Sequence, residues 1–104
     1  MNTKSGDFNE KCYELLKRIP EGKVTTYGEI AKALDTKAYR AVGNAMAKNK
    51  YLFVIPCHRV IKSNGVIGHY ALGQDKKIKL LLKEGVAVKN GKVKNFEKVI
   101  YRFS

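Results

Sequence analysis

The residues with the clearest capacity for chemistry form one short run, Pro56-Cys57-His58-Arg59-Val60. A cysteine acts as a nucleophile in its thiolate form, which a neighbouring base or positive charge stabilises. His58 and Arg59 place these two groups next to Cys57 in the sequence. Adjacent side chains of a regular strand point to opposite faces, so His58 reaches the sulfur only if a turn follows Pro56 or a water bridges the pair. Taken alone, the run favours catalysis no more than a structural role.

The second cysteine, Cys12, lies in a pattern of apolar residues at helical spacing that predicts a helix over residues 7–18. Pro20-Glu21-Gly22 ends this helix. On its apolar face, Cys12 is expected to be a buried and inert thiol. The two cysteines lie far apart, with neither a CxxC motif nor a Cys/His ligand quartet, so we expect no metal site and no disulfide.

Two short helices are predicted upstream of the Cys57 run, joined by a tight turn at residues 35–36. The capping box Thr26-x-x-Glu29 opens the first helix, and the second covers residues 37–48. One face of the second helix carries small and apolar side chains, namely Ala38, Ala41, Val42 and Ala45. The opposite face carries Arg40, Asn44 and Lys48. This basic face and the short connection indicate a helix-turn-helix, and a helical hairpin packed only for stability is the alternative.

The remaining predicted elements are short. Residues 52–55 form a candidate buried strand that Pro56 stops, and residues 62–65 form a turn or small wing. A helix is predicted over residues 74–84, and the turn that follows it is a possible hairpin at Asn90-Gly91. The inward side chains of that helix are Ile78, Leu81 and Leu82. We therefore predict a mainly α fold with a small β component, similar to a winged helix-turn-helix.

The length of 104 residues predicts one domain over residues 1–104, with a core of about 8–88 and a basic C-terminal extension of 89–104. The formal net charge of +12 indicates a polyanionic partner, because Lys and Arg that meet phosphates release condensed counterions. A lysine-rich surface that only aids solubility is the alternative. With no signal-peptide core and no long apolar run, we expect a cytoplasmic protein (nuclear if eukaryotic) that does not enter a membrane.

An ordered series of motifs makes the chemistry more specific. The chain resembles the C-terminal, active-site domain of O6-alkylguanine-DNA alkyltransferases from about residue 24 to residue 86. The matching motifs are Ile55-Pro56-Cys57-His58-Arg59-Val60, Arg40-Ala41-Val42-Gly43, Asn49, Gly68, Tyr70 and Leu81-Leu82-Lys83-Glu84-Gly85. The resemblance implies the alkyltransferase fold for this domain. It also implies a DNA repair protein that irreversibly takes an alkyl group, a methyl group above all, from guanine.

The resemblance implies a role for five residues in this transfer. Cys57 would attack the alkyl carbon, and His58 would take the thiol proton through a water, with Glu84 orienting the imidazole. Tyr27 would donate a proton to the leaving guanine, and Asn49 would brace the active-site turn. Such a methylated-DNA–protein-cysteine methyltransferase works once per molecule, because the thioether is stable, and it needs no cofactor and no metal.

The resemblance also implies a DNA-binding face and a base pocket. Arg40 would enter the duplex from the minor groove and take the place of the flipped nucleotide. The further DNA contacts are Tyr27, Gly28, Ala38, Gly43 and Ser63. The pocket for the flipped base is formed by Leu52, Val60, Tyr70 and Ala71. The partner would be double-stranded DNA containing alkylated guanine, bound by a monomer.

Several departures from the family pattern keep other functions open. Full-length relatives usually carry an N-terminal domain, which nothing here matches. Short alkyltransferase-like proteins bind alkylguanine without transfer and have tryptophan where Cys57 stands. Ala71 stands where some relatives have a serine, and Leu52 stands where some have a proline. His69 lies beside Tyr70. These differences can change which alkyl groups fit, so the preferred alkyl group is left open. Lesion binding without transfer is thus the second hypothesis, and a basic helix-turn-helix regulator is the third.

Overall fold

Most of the regular secondary structure is helical in the computed structural model, which describes residues 5–52 and 54–103. The mainly α fold with a small β component is confirmed. The helices are α1 (Ser5–Leu16), α2 (Tyr27–Ala33), α3 (Tyr39–Ala47), α4 (Gln74–Lys83) and the short α5 (Phe96–Val99), with one 3-10 turn at Cys57–Arg59. The strands are β1 (Thr25–Thr26), β2 (Val60–Ile61), β3 (Val88–Lys89) and β4 (Lys92–Val93). In the described ranges, no helix has the length and apolar character needed to cross a membrane.

Thr26 caps the start of α2, as the capping-box pattern predicts. The hydroxyl oxygen of Thr26 accepts a hydrogen bond from the backbone N–H of Glu29 at 3.0 Å, which satisfies one of the free donors of the first turn. Thr26 is also the last residue of β1, which pairs in parallel with β2. One residue therefore ends a strand, begins α2 and places Tyr27 at the first position of the helix.

Helix α3 begins later than the predicted residue 37. The hydroxyl of Thr36 accepts a hydrogen bond from Ala38 N–H at 3.1 Å, and this local turn competes with a helical start. Ala38 consequently precedes the helix and is exposed, so its predicted place on the apolar stripe is wrong. The basic face is exposed as predicted, with Arg40, Asn44 and Lys48 all facing solvent.

The strand predicted over residues 52–55 is wrong. Tyr51 C=O accepts a hydrogen bond from Ile55 N–H at 2.8 Å, so the segment closes into a turn, and Val54 is 74% exposed. The carboxamide of Asn49 makes this turn, because it accepts a hydrogen bond from Tyr51 N–H and donates one to Ile55 C=O, each at 2.9 Å. These backbone groups would otherwise be available to a sheet. Phe53 lies outside the described residues.

The predicted hairpin at Asn90-Gly91 is confirmed. Strands β3 and β4 pair antiparallel on either side of it. Both turn residues have positive φ, 54° for Asn90 and 75° for Gly91. Asparagine and glycine adopt this region most readily, and it matches the twist of a two-residue hairpin.

Two clusters of buried side chains form the core. The first lies among α1, α2 and α3 and contains Cys12, Leu16, Ile30, Val42 and Cys57 among others. The second lies under α4 and the hairpin and contains Val24, Ile61, Ile67, Leu81, Val86 and Val93. The nucleophile candidate is therefore part of the first cluster, and α4 rests on the second.

The core extends beyond the predicted limit of residue 88. Val93 is buried, and Val24 pairs with Ile100 in an isolated parallel bridge. Val24 N–H donates to Val99 C=O at 2.9 Å, and Tyr101 N–H donates to Val24 C=O at 2.6 Å. The segment expected to be an extension thus adds a strand-like edge beside β1, because its apolar residues find partners that lie far away in sequence.

Candidate active site

Cys57 begins the 3-10 turn that follows Pro56. Cys57 N–H donates to Ile55 C=O at 2.8 Å, and Arg59 N–H donates to Pro56 C=O at 3.0 Å. The turn releases Cys57 and His58 from the opposite-face geometry of a strand. A turn after Pro56, one of the two arrangements that the sequence left open, is present. Cys57 is only 5% exposed.

Asn49 braces the turn and contacts the nucleophile candidate. The Nδ2 group that donates to Ile55 C=O also donates to Cys57 Sγ at 3.4 Å. Burial raises the pKa of the Cys57 thiol, and the Asn49 hydrogen bond and the positive charge of Lys77 oppose this rise. Cys12 has no such help, and burial raises its pKa to about 11. The two thiols therefore differ in environment, and Cys57 is the one with groups that favour a thiolate.

His58, Arg59 and Glu84 form one hydrogen-bonded cluster. His58 Nε2 lies 2.8 Å from Glu84 Oε2. Arg59 binds the same carboxylate with Nε and Nη2, at 2.9 and 2.8 Å, and donates from Nη1 to Ile19 C=O at 2.8 Å. Glu84 lies at the C-cap of α4, so the cluster ties this helix to the active-site turn.

The cluster sets the charge of the two titratable groups. Burial acts to raise the pKa of Glu84, but the hydrogen bonds from Arg59 and His58 outweigh it and hold the pKa below its usual value. Burial lowers the pKa of His58, against the hydrogen bond and charge of Glu84. His58 is thus a neutral imidazole near pH 7, able to accept a proton. Its Nδ1 is buried and makes no hydrogen bond within the described residues.

A cavity of about 100 Å³ opens onto Cys57. It is lined by Tyr27, Gly43, Met46, Ala47, Cys57, His69, Tyr70 and Ala71. Two of the predicted pocket residues, Tyr70 and Ala71, line it together with the predicted leaving-group acid Tyr27. Aromatic and apolar side chains predominate, as in sites that hold a flat ring and exclude water.

The two other predicted pocket residues lie elsewhere. Val60 is fully buried in the first core cluster, and its N–H donates to Cys57 C=O. Leu52 is half-buried and packs against the same cluster. Neither is among the residues that line the cavity. Val60 faces the core because it begins β2, and Leu52 does so because residues 51–55 form a turn.

Two of the predicted DNA-contact residues, Tyr27 and Gly43, line the cavity. Arg40 and Ala38 are exposed at the start of α3, and Gly43 of the same helix lines the cavity. Gly28 and Ser63 meet, since a Cβ added to Gly28 would lie 3.2 Å from Ser63 Oγ. The glycine allows α2 and the 62–65 turn to approach each other.

Lys77 is a residue of this site that the sequence interpretation missed. It is fully buried, and its Nζ donates to the carbonyl of His69 at 2.9 Å. Of the predicted inward residues of α4, Leu81 is buried and Ile78 packs against the second core cluster, whereas Leu82 is 51% exposed and Lys77 is buried in its place. The four-residue spacing of Lys77 and Leu81 is the signal that places both on one helix face.

In the described part of the chain, no group of three His, Cys, Asp or Glu side chains is arranged to hold a metal ion.

The sequence and the fold are similar to those of known proteins. The family model for the DNA-binding domain of 6-O-methylguanine DNA methyltransferase matches residues 7–86. The chain belongs to this family. The methylated-DNA–protein-cysteine methyltransferase of Thermococcus gammatolerans is 51% identical over 80 residues, which is 76% of this chain and 45% of the relative.

Two crystal structures share the alkyltransferase fold. O6-methylguanine-DNA methyltransferase from Pyrococcus kodakaraensis is 51% identical, with a TM-score of 0.70 over 76% of this chain and 46% of that one. S. pombe Atl1, in complex with damaged DNA containing O6-carboxymethylguanine, is 32% identical, with a TM-score of 0.83 over 99% of this chain and 100% of that one. The chain spans 30% to 45% of the length of three curated relatives that it matches.

Proposed function

We propose that this protein repairs double-stranded DNA by moving an alkyl group from O6 of guanine to Cys57, once per molecule. The observation that carries the proposal is the position of Cys57, at a cavity lined by aromatic rings and within 3.4 Å of the Asn49 amide. The transferase names of its relatives support the same chemistry. The net charge of +12 suits a DNA partner.

In the proposed step, the Cys57 thiolate attacks the alkyl carbon in line with the carbon–oxygen bond. The sulfur–carbon bond forms as the bond to O6 breaks, and the electron pair of that bond stays with guanine. Tyr27 donates its phenolic proton to the guanine ring, and the tyrosinate regains a proton from water afterwards. Burial raises the pKa of Tyr27, so the phenol holds its proton until guanine leaves. The base that took the thiol proton returns it to water, so thiol and alkylguanine become thioether and guanine.

His58 removes the thiol proton in this proposal. Its buried Nδ1 takes the proton through a water, while Nε2 keeps its contact with the Glu84 carboxylate. Glu84 orients the ring and stabilises the imidazolium that forms. The lowered pKa of His58 makes it a base at neutral pH, and the carboxylate keeps it basic enough to act.

A second function, recognition of alkylguanine without transfer, is favoured by one observation. S. pombe Atl1 corresponds in structure to 99% of this chain, whereas the Pyrococcus methyltransferase corresponds to 76%. Residues of the C-terminal segment therefore belong to what this chain shares with Atl1. The braced Cys57 distinguishes the two functions, because binding alone needs no nucleophile.

Mass spectrometry tests the proposal directly. After incubation with duplex DNA containing O6-methylguanine, the Cys57 peptide is expected to gain the mass of one methyl group, and the Cys12 peptide none. Saturating binding with an unmodified Cys57 would overturn transfer and support recognition alone. Equal binding of methylated and plain duplexes, with no transfer, would instead favour a basic helix-turn-helix regulator.

Arg40→Ala is expected to slow reaction with a methylated duplex by about tenfold to a hundredfold, since extruding a base costs a few kcal/mol that the inserted side chain offsets. Reaction with free O6-methylguanine base, which needs no extrusion, should change little. Single-turnover rates on both substrates provide the measurement. Lys48→Ala, which removes an exposed charge at the C-cap of α3, is the matched control. Equal losses on both substrates would exclude insertion by Arg40.

A further inference from the structure

Four exposed lysines lie on one face of the strands that follow Cys57, namely Lys62, Lys89, Lys92 and Lys94. We call this surface the lysine face. Across residues 8–52 and 54–103, these four side chains form neither a hydrogen bond nor an ion pair with the protein. Part of the net charge of +12 is thus concentrated where no carboxylate of the described residues offsets it.

Backbone pairing sets these lysines side by side. Lys89 is the cross-strand partner of Lys92 in the β3–β4 hairpin, and Lys92 pairs in turn with Val66. On the other side of Val66, Lys62 N–H donates to the Val66 carbonyl at 2.9 Å. Side chains alternate between the two faces of a strand, so the lysines point away from the core. The inner face packs in the second core cluster and carries Ile61, Ile67, Val88 and Val93.

The pairing of Lys89 with Lys92 is unfavourable in the free protein. Like charges directly opposite each other destabilise an antiparallel pair of strands. Phosphates bound across the hairpin would offset this repulsion, and the counterions that they release favour binding further. The lysine face is therefore better suited to a bound polyanion than to solvent.

The lysine face begins beside the cavity. A Cβ added to Gly68 would lie 3.4 Å from Lys62 Cγ and 3.8 Å from Tyr27 Oη, so the lysine stem and the cavity-lining tyrosine meet over this glycine. The residue after Lys62 is Ser63, a predicted DNA contact. From Lys62 to Lys89 the face crosses three spacings between strands, a distance of roughly 14 Å. This distance corresponds to about four base pairs of duplex DNA.

We propose that the lysine face binds the sugar–phosphate backbone of duplex DNA beyond the nucleotides held at the cavity, and so lengthens the covered DNA by about four base pairs. Contacts of this kind fix the position of the protein on the duplex and read no sequence. The inference goes beyond the proposed transfer chemistry and rests on the proposed function only for DNA as the partner.

The salt dependence of binding to a plain duplex tests this surface, because each lost phosphate contact reduces the slope of log K against log salt by about 0.9. Lys89→Gln/Lys92→Gln should therefore reduce the slope by about 1.8. Lys79→Gln/Lys83→Gln removes the same charge from exposed positions one turn apart on α4, and this matched control should keep a slope close to that of the parent. An unchanged slope in the hairpin variant, or an equal reduction in the control, would overturn the proposal.

Acetylation of the parent protein tests the surface without any substitution. Bound duplex should protect Lys89 and Lys92 from an N-hydroxysuccinimide ester of acetate, while Lys79 and Lys83 stay reactive, and mass spectrometry of the peptides measures each site. Equal modification of the hairpin lysines with and without DNA would contradict the proposal. Methyl transfer with an unchanged slope would refute this surface and leave the transfer function intact. A reduced slope without methyl transfer would do the reverse.

Discussion

Cys57→Ser is expected to reduce methyl transfer by at least about a thousandfold, because a serine hydroxyl supplies almost no oxyanion at neutral pH and His58 has no thiol to deprotonate. Binding to a methylated duplex should persist, since the cavity, Arg40 and the charge of the surface are unchanged. Transfer of labelled methyl groups and a binding titration on the same duplex are the two measurements.

Cys12→Ala is the matched control for this substitution. Cys12 lies in the first core cluster with a pKa raised to about 11, so it takes no part in chemistry near neutral pH. The control protein should accept one methyl group per molecule. Methyl transfer to Cys57→Ser at a rate comparable to that of the parent would show that another residue is the acceptor.

Glu84→Ala is expected to lower the free energy of unfolding by roughly 3 kcal/mol, at the low end for breaking a buried pair from one side. The reason is that Arg59 keeps its charge, at 15% side-chain exposure, without a carboxylate. For a domain of this size, such a loss lowers the melting temperature by about 10 to 20 °C. Thermal unfolding measures it. Glu14→Ala, which removes an exposed ion pair with Lys17, should have little effect.

The stability that the cluster of His58, Arg59 and Glu84 provides depends on pH, and the direction of this dependence follows from the pKa of Glu84. The pKa of Glu84 lies below its usual value in the folded state, so the stabilisation is complete above the unfolded pKa and is lost as the pH falls through the folded one. The difference in stability between the parent and Glu84→Ala should therefore shrink on acidification. A difference independent of pH would show that the carboxylate acts by packing and not by charge.

Glu84→Gln distinguishes the contribution of Glu84 to stability from its contribution to methyl transfer. The amide can still accept from Arg59, but it cannot stabilise an imidazolium at His58. Methyl transfer near neutral pH should fall about tenfold to a hundredfold, the range for removing a group that supports a catalytic histidine. An unchanged transfer rate in a folded Glu84→Gln protein would remove His58 and Glu84 from the proton path.

Features determined by neighbouring residues were predictable. The cap of α2 by Thr26 and the hairpin at Asn90-Gly91 depend on interactions over two to three residues, and both form. The turn at residues 51–55 was missed, because an apolar run suggests a strand until the carboxamide of Asn49 is seen to take its backbone groups. A hydrogen bond from a side chain to the backbone cannot be predicted from the pattern of apolar residues.

Features that depend on distant contacts were harder to predict. The resemblance of motifs paired Asn49 with the Cys57 turn and Glu84 with His58, and both contacts are present. It did not supply Lys77, whose burial depends on how α4 is rotated over the second core cluster. Nor did it place residues 99–101 beside Val24, since that pairing joins segments about 75 residues apart in the sequence.

The pairing of Val24 with residues 99–101 has a consequence for how the protein is made. Chains grow from the N-terminus at about 5–20 residues per second, and early segments can begin to fold while later ones are still being added. Here the partner of β1 on its outer edge is among the last residues described, and Thr25 donates its hydroxyl to Tyr101 C=O. A nascent chain that ends before Tyr101 leaves this edge open to other strands. The native pairing beside β1 can form only after residues 99–101 have emerged from the ribosome.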